Sequence, residues 1–267
     1  MKELATHQRK DPVVHPSAIV HPLATLGEGV EVGPWAIIGP DVVVGARTEI
    51  GPRVLIEKDT TVGEDCRIAN GAVLGTDPQD TKYRGERSFL TVGDRTVIRE
   101  FATLNRGTAA VGRTTVGNDC LLMSYTHVAH DCRLDDHVIL SNAVNMAGHV
   151  HIEEWAIIGG LTPIHQFARI GAHAFVGGGS RIAQDVAPYC RVAGSPPRLF
   201  GLNTVGMERR EFSVEVRVAL KQAYRILFKS KAVLSKALER VEEEVAPLPE
   251  VRHLVEFVRT SERGITM

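Results

Sequence analysis

The sequence predicts an all-β chain with an α-helical appendix: a parallel β-helix of hexapeptide repeats followed by a C-terminal helical domain. Three observations predict it. An aliphatic residue recurs every six positions from Val14 to Ile182, the residue four places further on is small or branched, and after Ile182 a Gly/Pro-rich break hands over to helical spacing.

The aliphatic row runs Val14, Val20, Leu26, Val32, Ile38, Val44, Ile50, Ile56, Val62, Ile68 and Leu74. It returns in phase at Val92, Ile98 and Leu104, and runs again from Val116 to Ile182. Of the 29 positions in this register only Asp80, Glu86 and Ala110 are not aliphatic. A period of six fits neither an amphipathic helix nor a long alternating strand, so each hexapeptide is a short strand plus a turn. Three such strands close a triangular coil of 18 residues, with the aliphatic residue at position one pointing inward and the small residue at position five fitting the corner. Successive coils then stack at the ordinary strand spacing of roughly 4.8 Å. A chance run of Val and Ile in an α/β domain would lose phase within two or three repeats, whereas this one holds over 168 residues. Cys66, Cys120 and Cys132 fall at position five and read as small core residues, not metal ligands.

Two segments, 76–91 and 105–115, interrupt the hexapeptides without changing phase, and are expected to bulge from the wall as loops that carry binding residues. After RVAGSPPRLFG, the residues Phe212, Val216, Ala219, Leu220, Ala223 and Leu227 recur at helical spacing behind an N-cap at Ser213. Ser235–Val245 and Val251–Arg263 predict two further helices, separated by two prolines. The expected domains are therefore 1–190, the coil, and 191–267, the helical part.

Composition excludes several classes. The chain of 267 residues has no run of 18 apolar residues, and its start, MKELATHQRKDP, lacks the apolar run of a secretory signal, so a cytoplasmic protein without membrane insertion is expected. Four cysteines without a Cys-x-x-Cys pairing predict no disulfide there. Residues 181–240 hold 12 Lys/Arg against 5 Asp/Glu, a basic region suited to an acidic partner as well as to a solvated helix face.

Bare repeats would also suit a purely structural protein, so function must come from departures from the repeat. These concentrate in THVAHD, NMAGHV and PIHQF. Counting by 18 stacks His130, Gly148 and Gln166 along one corner, places Asp131 in line with His149, and sets His165 in the row beside them. Imidazoles near a carboxylate and a glycine backbone suggest a general base titrating near neutral pH, next to an N–H able to receive an oxyanion. A zinc-binding γ-class carbonic anhydrase would also use histidines on this architecture.

The motifs GTDPQDTKYRGE, NRGT, NDCLLMSYTHVAHDC, NMAGHV, HQF, IGAHAFVGGGS and AQDVAPY, with LFGLN and ERREF after the coil, closely resemble the UDP-N-acetylglucosamine O-acyltransferase family, which opens lipid A biosynthesis. The resemblance covers nearly the whole chain. It implies a left-handed parallel β-helix, a homotrimer, acyl carrier protein bearing a 3-hydroxyacyl chain as donor, and no cofactor, metal or nucleic acid. It also implies roles: His130 as general base, Asp131 as its partner, and the Gly148 N–H as oxyanion donor. His127, His149, His165 and Gln166 would contact the sugar nucleotide or acyl group, Asp80 and Lys82 the amino sugar and its phosphates, and Asn203, Arg209 and Arg210 the nucleotide. Gly178 matches the position that gauges acyl length. Asn105 stands where many members carry histidine, which keeps a 3-amino analogue of the UDP-sugar open as acceptor.

Overall fold

The computed structural model describes residues 11–230 and 232–267; the first ten residues, where most of the stretch without a secretory signal lies, fall outside the described residues. The chain divides into two units, one ending at Asp131 and the other beginning at Cys132.

In the first unit nearly every hexapeptide is a strand of two to four residues, and each strand pairs in parallel with its equivalent one coil away. Val14 pairs with Val32, Val32 with Ile50, and Ile50 with Ile68, so the register is the predicted 18. Across the two insertions the offset grows to 30, between Ile68 and Ile98, and then to 24, between Ile98 and Leu122. Both increments are multiples of six, which is why the phase survived. Flanking strands reach further into the insertions than the period indicated. Val73–Thr76, Phe89–Val92, Thr103–Asn105 and Arg113–Val116 are all strand, leaving loops at 77–88 and 106–112. The three non-aliphatic members of the row, Asp80, Glu86 and Ala110, all sit in those loops.

The row forms the core. The aliphatic residues of the row from Val32 to Leu122 are buried at position one, and Ala36, Thr48, Cys66, Ala72, Ala102 and Cys120 at position five. At the coil's first turn Val14 is 40% exposed, because there a described neighbour lies on one side of the layer only. Burying one Val or Ile side chain is worth about 1.5–3 kcal/mol, so a stack of repeats is held mainly by this row. A polar corner residue is tolerated where its bonds close. Thr48 Oγ1 donates to the Gly63 carbonyl at 2.8 Å and accepts from the Cys66 N–H at 3.0 Å. Burial pushes the Cys66 thiol up, in keeping with an inert core cysteine.

Position four turns each corner with φ near +55 to +65°, carried by Asp41, Arg47, Asp65, Asp119, Asp131 and their equivalents. This left-handed conformation costs non-glycine residues about 1–2 kcal/mol. It throws the side chain of position four out of the strand alternation.

The second unit continues with parallel pairs 18 apart, such as Arg133 with His151 and His151 with Arg169. Phe175–Val176 then pairs in parallel with Cys190–Gly194, which turns back as an antiparallel hairpin with Pro197–Leu202. The Gly/Pro-rich break is thus a hairpin, its turn made by the glycine and prolines that the sequence flags. Four helices follow: α1 (Thr204–Arg209), α2 (Val214–Lys229), α3 (Leu234–Glu244) and α4 (Pro249–Arg259). Ser213 caps α2 as expected, its hydroxyl accepting from the Val216 N–H at 3.2 Å. The short α1 lies outside the sequence-based expectation. Ala187, Tyr189 and Cys190 share a buried cluster with Leu220, Leu227, Leu238, Leu254 and Phe257, so the helices pack on the last strands of this unit. Among the described residues no helix is long and apolar enough to cross a membrane.

Candidate active site

His130 follows Val128 at position three, and Asp131 makes the corner with φ +59°. Successive residues in a strand face opposite sides, so the corner is what lets these two side chains meet. His130 Nδ1 lies 2.8 Å from Asp131 Oδ2, and both residues are buried. The carboxylate also accepts from the Thr108 N–H at 2.8 Å and the Thr108 hydroxyl at 2.7 Å, and the Asp131 N–H donates to Thr114 Oγ1 at 2.9 Å. With the carboxylate accepting, His130 carries its proton on Nδ1, the tautomer that turns Nε2 into a base. His127, one strand residue before Val128, is half-buried with Nδ1 2.7 Å from Thr103 Oγ1. Burial, and secondarily the charge of His130, holds its imidazole below the usual range, so it is neutral at pH 7.

Asp80 and Lys82 lie in the 77–88 loop, joined by a local turn in which Asp80 Oδ1 accepts from the Lys82 N–H at 2.9 Å. The anchor of this loop was not foreseen. Arg106, fully buried, donates to the Gly75 carbonyl and the Asp77 carboxylate and reaches the Tyr83 hydroxyl at 3.3 Å. Asn105 Nδ2 donates to Thr76 Oγ1 at 2.8 Å and to the Asp77 carbonyl at 3.1 Å. A buried arginine next to a bulging loop is a signal that the sequence carries in NRGT, but its partners are about 30 residues back.

In the second unit Gly148 is buried, and His149, another corner residue with φ +60°, stacks on Phe167 at 4.6 Å between ring centroids. His165 is exposed and donates from Nδ1 to the Gln166 carbonyl at 3.0 Å. Asn203 is buried and caps α1 by accepting from the Gly206 N–H at 3.1 Å, while its Nδ2 donates to the His173 carbonyl at 2.9 Å. Arg209 and Arg210 end this helix, both exposed. The Arg210 guanidinium lies 3.5 Å over the ring of Trp155.

Trp155 belongs to a corner column, His137, Trp155, His173 and Tyr189, with ring centroids 3.7, 6.4 and 5.7 Å apart. Counting by 18 aligns the first three of these. Burial, followed by the nearby charges of Arg210 and His253, pulls the His173 imidazole down to about 4, so it is neutral at pH 7.

Gly177, Gly178 and Gly179 differ in their reasons for being glycine. A Cβ on Gly177 would lie 2.8 Å from Ala193 Cβ, and Gly179 has φ +69°. A Cβ on Gly178 would come nearest to the Gly160 backbone, at 3.1 Å from its oxygen, and the residue is exposed.

Coil, loops and helices together define a hexapeptide-repeat transferase. A bacterial transferase hexapeptide pattern of six repeats matches residues 41–76, and the second domain of UDP-N-acetylglucosamine O-acyltransferase matches residues 185–266. The chain is 51% identical over 254 residues to the acyl-(acyl-carrier-protein)–UDP-N-acetylglucosamine O-acyltransferase of Myxococcus xanthus, covering 95% of this chain and 98% of that one. It is 58% identical over 245 residues to the protein of the same name from Chlorobaculum tepidum, covering 91% and 93%. The crystal structure of a UDP-N-acetylglucosamine acyltransferase from Bacteroides fragilis superimposes with a TM-score of 0.94 at 42% identity, covering 96% of this chain and all of the other. The chain belongs to the UDP-N-acetylglucosamine O-acyltransferase family, and its coil is a left-handed parallel β-helix. The family assignment decides against the carbonic anhydrase reading.

Proposed function

We propose that this enzyme moves a 3-hydroxyacyl chain from acyl carrier protein to the 3-hydroxyl of UDP-N-acetylglucosamine, the reaction that opens lipid A biosynthesis. The observation that carries the mechanism is the buried His130–Asp131 pair, a base with its proton placed on the far nitrogen. His130 Nε2 takes the proton of the sugar hydroxyl as its oxygen attacks the thioester carbon. The Gly148 N–H receives the oxyanion of the tetrahedral intermediate. Collapse breaks the C–S bond, and the imidazolium returns the proton to the departing thiolate, giving an ester and the free carrier thiol. Asp80 and Lys82 hold the amino sugar and its phosphates, Asn203, Arg209 and Arg210 the nucleotide, and His127, His149, His165 and Gln166 line the sugar and acyl positions. Residues 1–190 act as the acyltransferase coil and 191–267 as the helical domain, in a cytoplasmic homotrimer whose flat coil faces supply the second wall of each site. Carrier thiol release, followed with both substrates present, is expected only with the UDP-sugar and in a species sedimenting as three chains. Activity in a monomer fraction would overturn the trimer, and no thiol release would overturn the transfer.

Carrier docking falls to a groove of about 470 Å³ along α2, lined by Leu202, Met207, Val218 and Tyr224 together with Arg217, Lys221, Arg225 and Lys229. Opposite charges steer association, and salt screens them over about 10 Å at 0.1 M. Charge reversal at Arg217, Lys221 and Arg225 is expected to raise KM for the carrier several-fold more than KM for the UDP-sugar. Equal changes in the two constants would refute this docking face.

A further inference from the structure

The 106–112 loop does more than bulge from the wall. Its backbone is fixed before any side chain is considered. Gly107 lies so close to the Arg113 backbone that a Cβ there would come within 2.3 Å of its nitrogen, and the Gly112 N–H closes the loop on the Thr108 carbonyl at 2.7 Å. Arg106 at its start is buried against the base of the neighbouring loop. Thr108 is therefore delivered to one place, and there it gives both of its donors to a single group, the Asp131 carboxylate: the N–H to Oδ1 at 2.8 Å and the hydroxyl to Oδ2 at 2.7 Å.

The direction of the hydroxyl bond is set. The Ala110 N–H donates to Thr108 Oγ1 at 3.2 Å, and an ionised carboxylate only accepts, so the hydroxyl hydrogen goes to Asp131. Hydrogen bonds to a carboxylate are shorter and roughly twice as strong as neutral ones. Two of them from one residue fix the carboxylate plane as well as its position. They favour the ionised carboxylate, which only accepts, so the 2.8 Å contact with His130 has its hydrogen on Nδ1. A plain loop anchor needs none of this, since any surface polar group would hold the loop.

We propose that Thr108 is a positioning residue of this reaction, clamping the Asp131 carboxylate so that it orients His130 and sets its tautomer. The inference rests on His130 being the general base. It places the second insertion in the chemistry through Asp131, 23 residues further on, and not through substrate contact.

The test is the pair Thr108→Val and Thr108→Ser, each measured for kcat, for KM of both substrates and for thermal stability, with His130→Ala alongside. Valine keeps the volume and the N–H but loses the hydroxyl; serine keeps both donors. Small displacements of a catalytic group cost up to 10²-fold. Thr108→Val is accordingly expected to lower kcat about tenfold or more with KM for the UDP-sugar within about twofold, and Thr108→Ser to recover most of kcat. In an Asp131→Asn background, Thr108→Val should add less than about a twofold loss, because coupled groups are not additive. A folded Thr108→Val with kcat within about twofold of wild type overturns the proposal, as does a full multiplicative loss in the Asp131→Asn background. Should the valine variant fail to fold, Thr108→Cys, of similar size and a weak donor, is read by the same criteria. Retained activity in His130→Ala would remove the base itself, a failure distinct from an inert Thr108 beside an essential His130.

Discussion

His130→Ala is expected to lower kcat by a factor of about 10² to 10⁴, the usual contribution of a positioned general base, while the coil stays folded. The aliphatic row at position one carries the core, and His130 stands outside it at position three. Removing the imidazole leaves a small buried gap and takes one donor from Asp131. The Thr108 N–H and hydroxyl still reach both carboxylate oxygens, so the loss in stability should stay near the ~1.5–3 kcal/mol of a hydrogen bond to a charged group. Steady-state kinetics and thermal melts on the same preparation check both halves. A folded variant with more than about a tenth of wild-type activity would mean that another group is the base.

Gly178→Met is expected to convert a long-chain enzyme into one favouring a shorter donor, with KM for the UDP-sugar nearly unchanged. Of three successive glycines, Gly179 is required by its positive φ and Gly177 by its closeness to Ala193, while at the exposed Gly178 an added Cβ comes nearest to the Gly160 backbone. A Cβ there requires the Gly160 backbone to give by a few tenths of an ångström, and the methionine beyond it is expected to fill space beside the coil. If the acyl chain lies in that space, each methylene it loses is worth about 0.8 kcal/mol, so four of them alter preference by roughly two hundredfold. Competition between long and short acyl carrier thioesters measures the shift. An unchanged product ratio from a folded variant would place the length gauge elsewhere.

The coil was legible because a six-residue period tests itself at every repeat. Cys66, Cys120 and Cys132 fell into place as corner residues for the same reason, and Ser213 was readable because a cap and its helix are local. Long-range pairs across insertions were not legible. Thr108 meets Asp131, and Arg106 meets Asp77, across a register that the two loops stretch to 24 and 30 residues, so counting by 18 cannot pair them. The hairpin from Cys190 to Leu202 was hidden by the glycine and prolines that make its turn. The short α1 was hidden because six residues give too little periodicity, although Asn203 ahead of it is a good cap. The column of His137, Trp155 and His173 keeps the regular spacing and was open to the same counting that aligned Asp131 with His149.

Product analysis tests the central claim most directly. The enzyme is incubated with a panel of 3-hydroxyacyl carrier thioesters, together with UDP-N-acetylglucosamine and, separately, its 3-amino analogue, and the products are read by mass spectrometry before and after mild alkali. The account predicts one 3-hydroxyacyl group added to UDP-N-acetylglucosamine as an alkali-labile ester. An alkali-stable product formed only from the 3-amino sugar, or no acylated nucleotide from either, would contradict it.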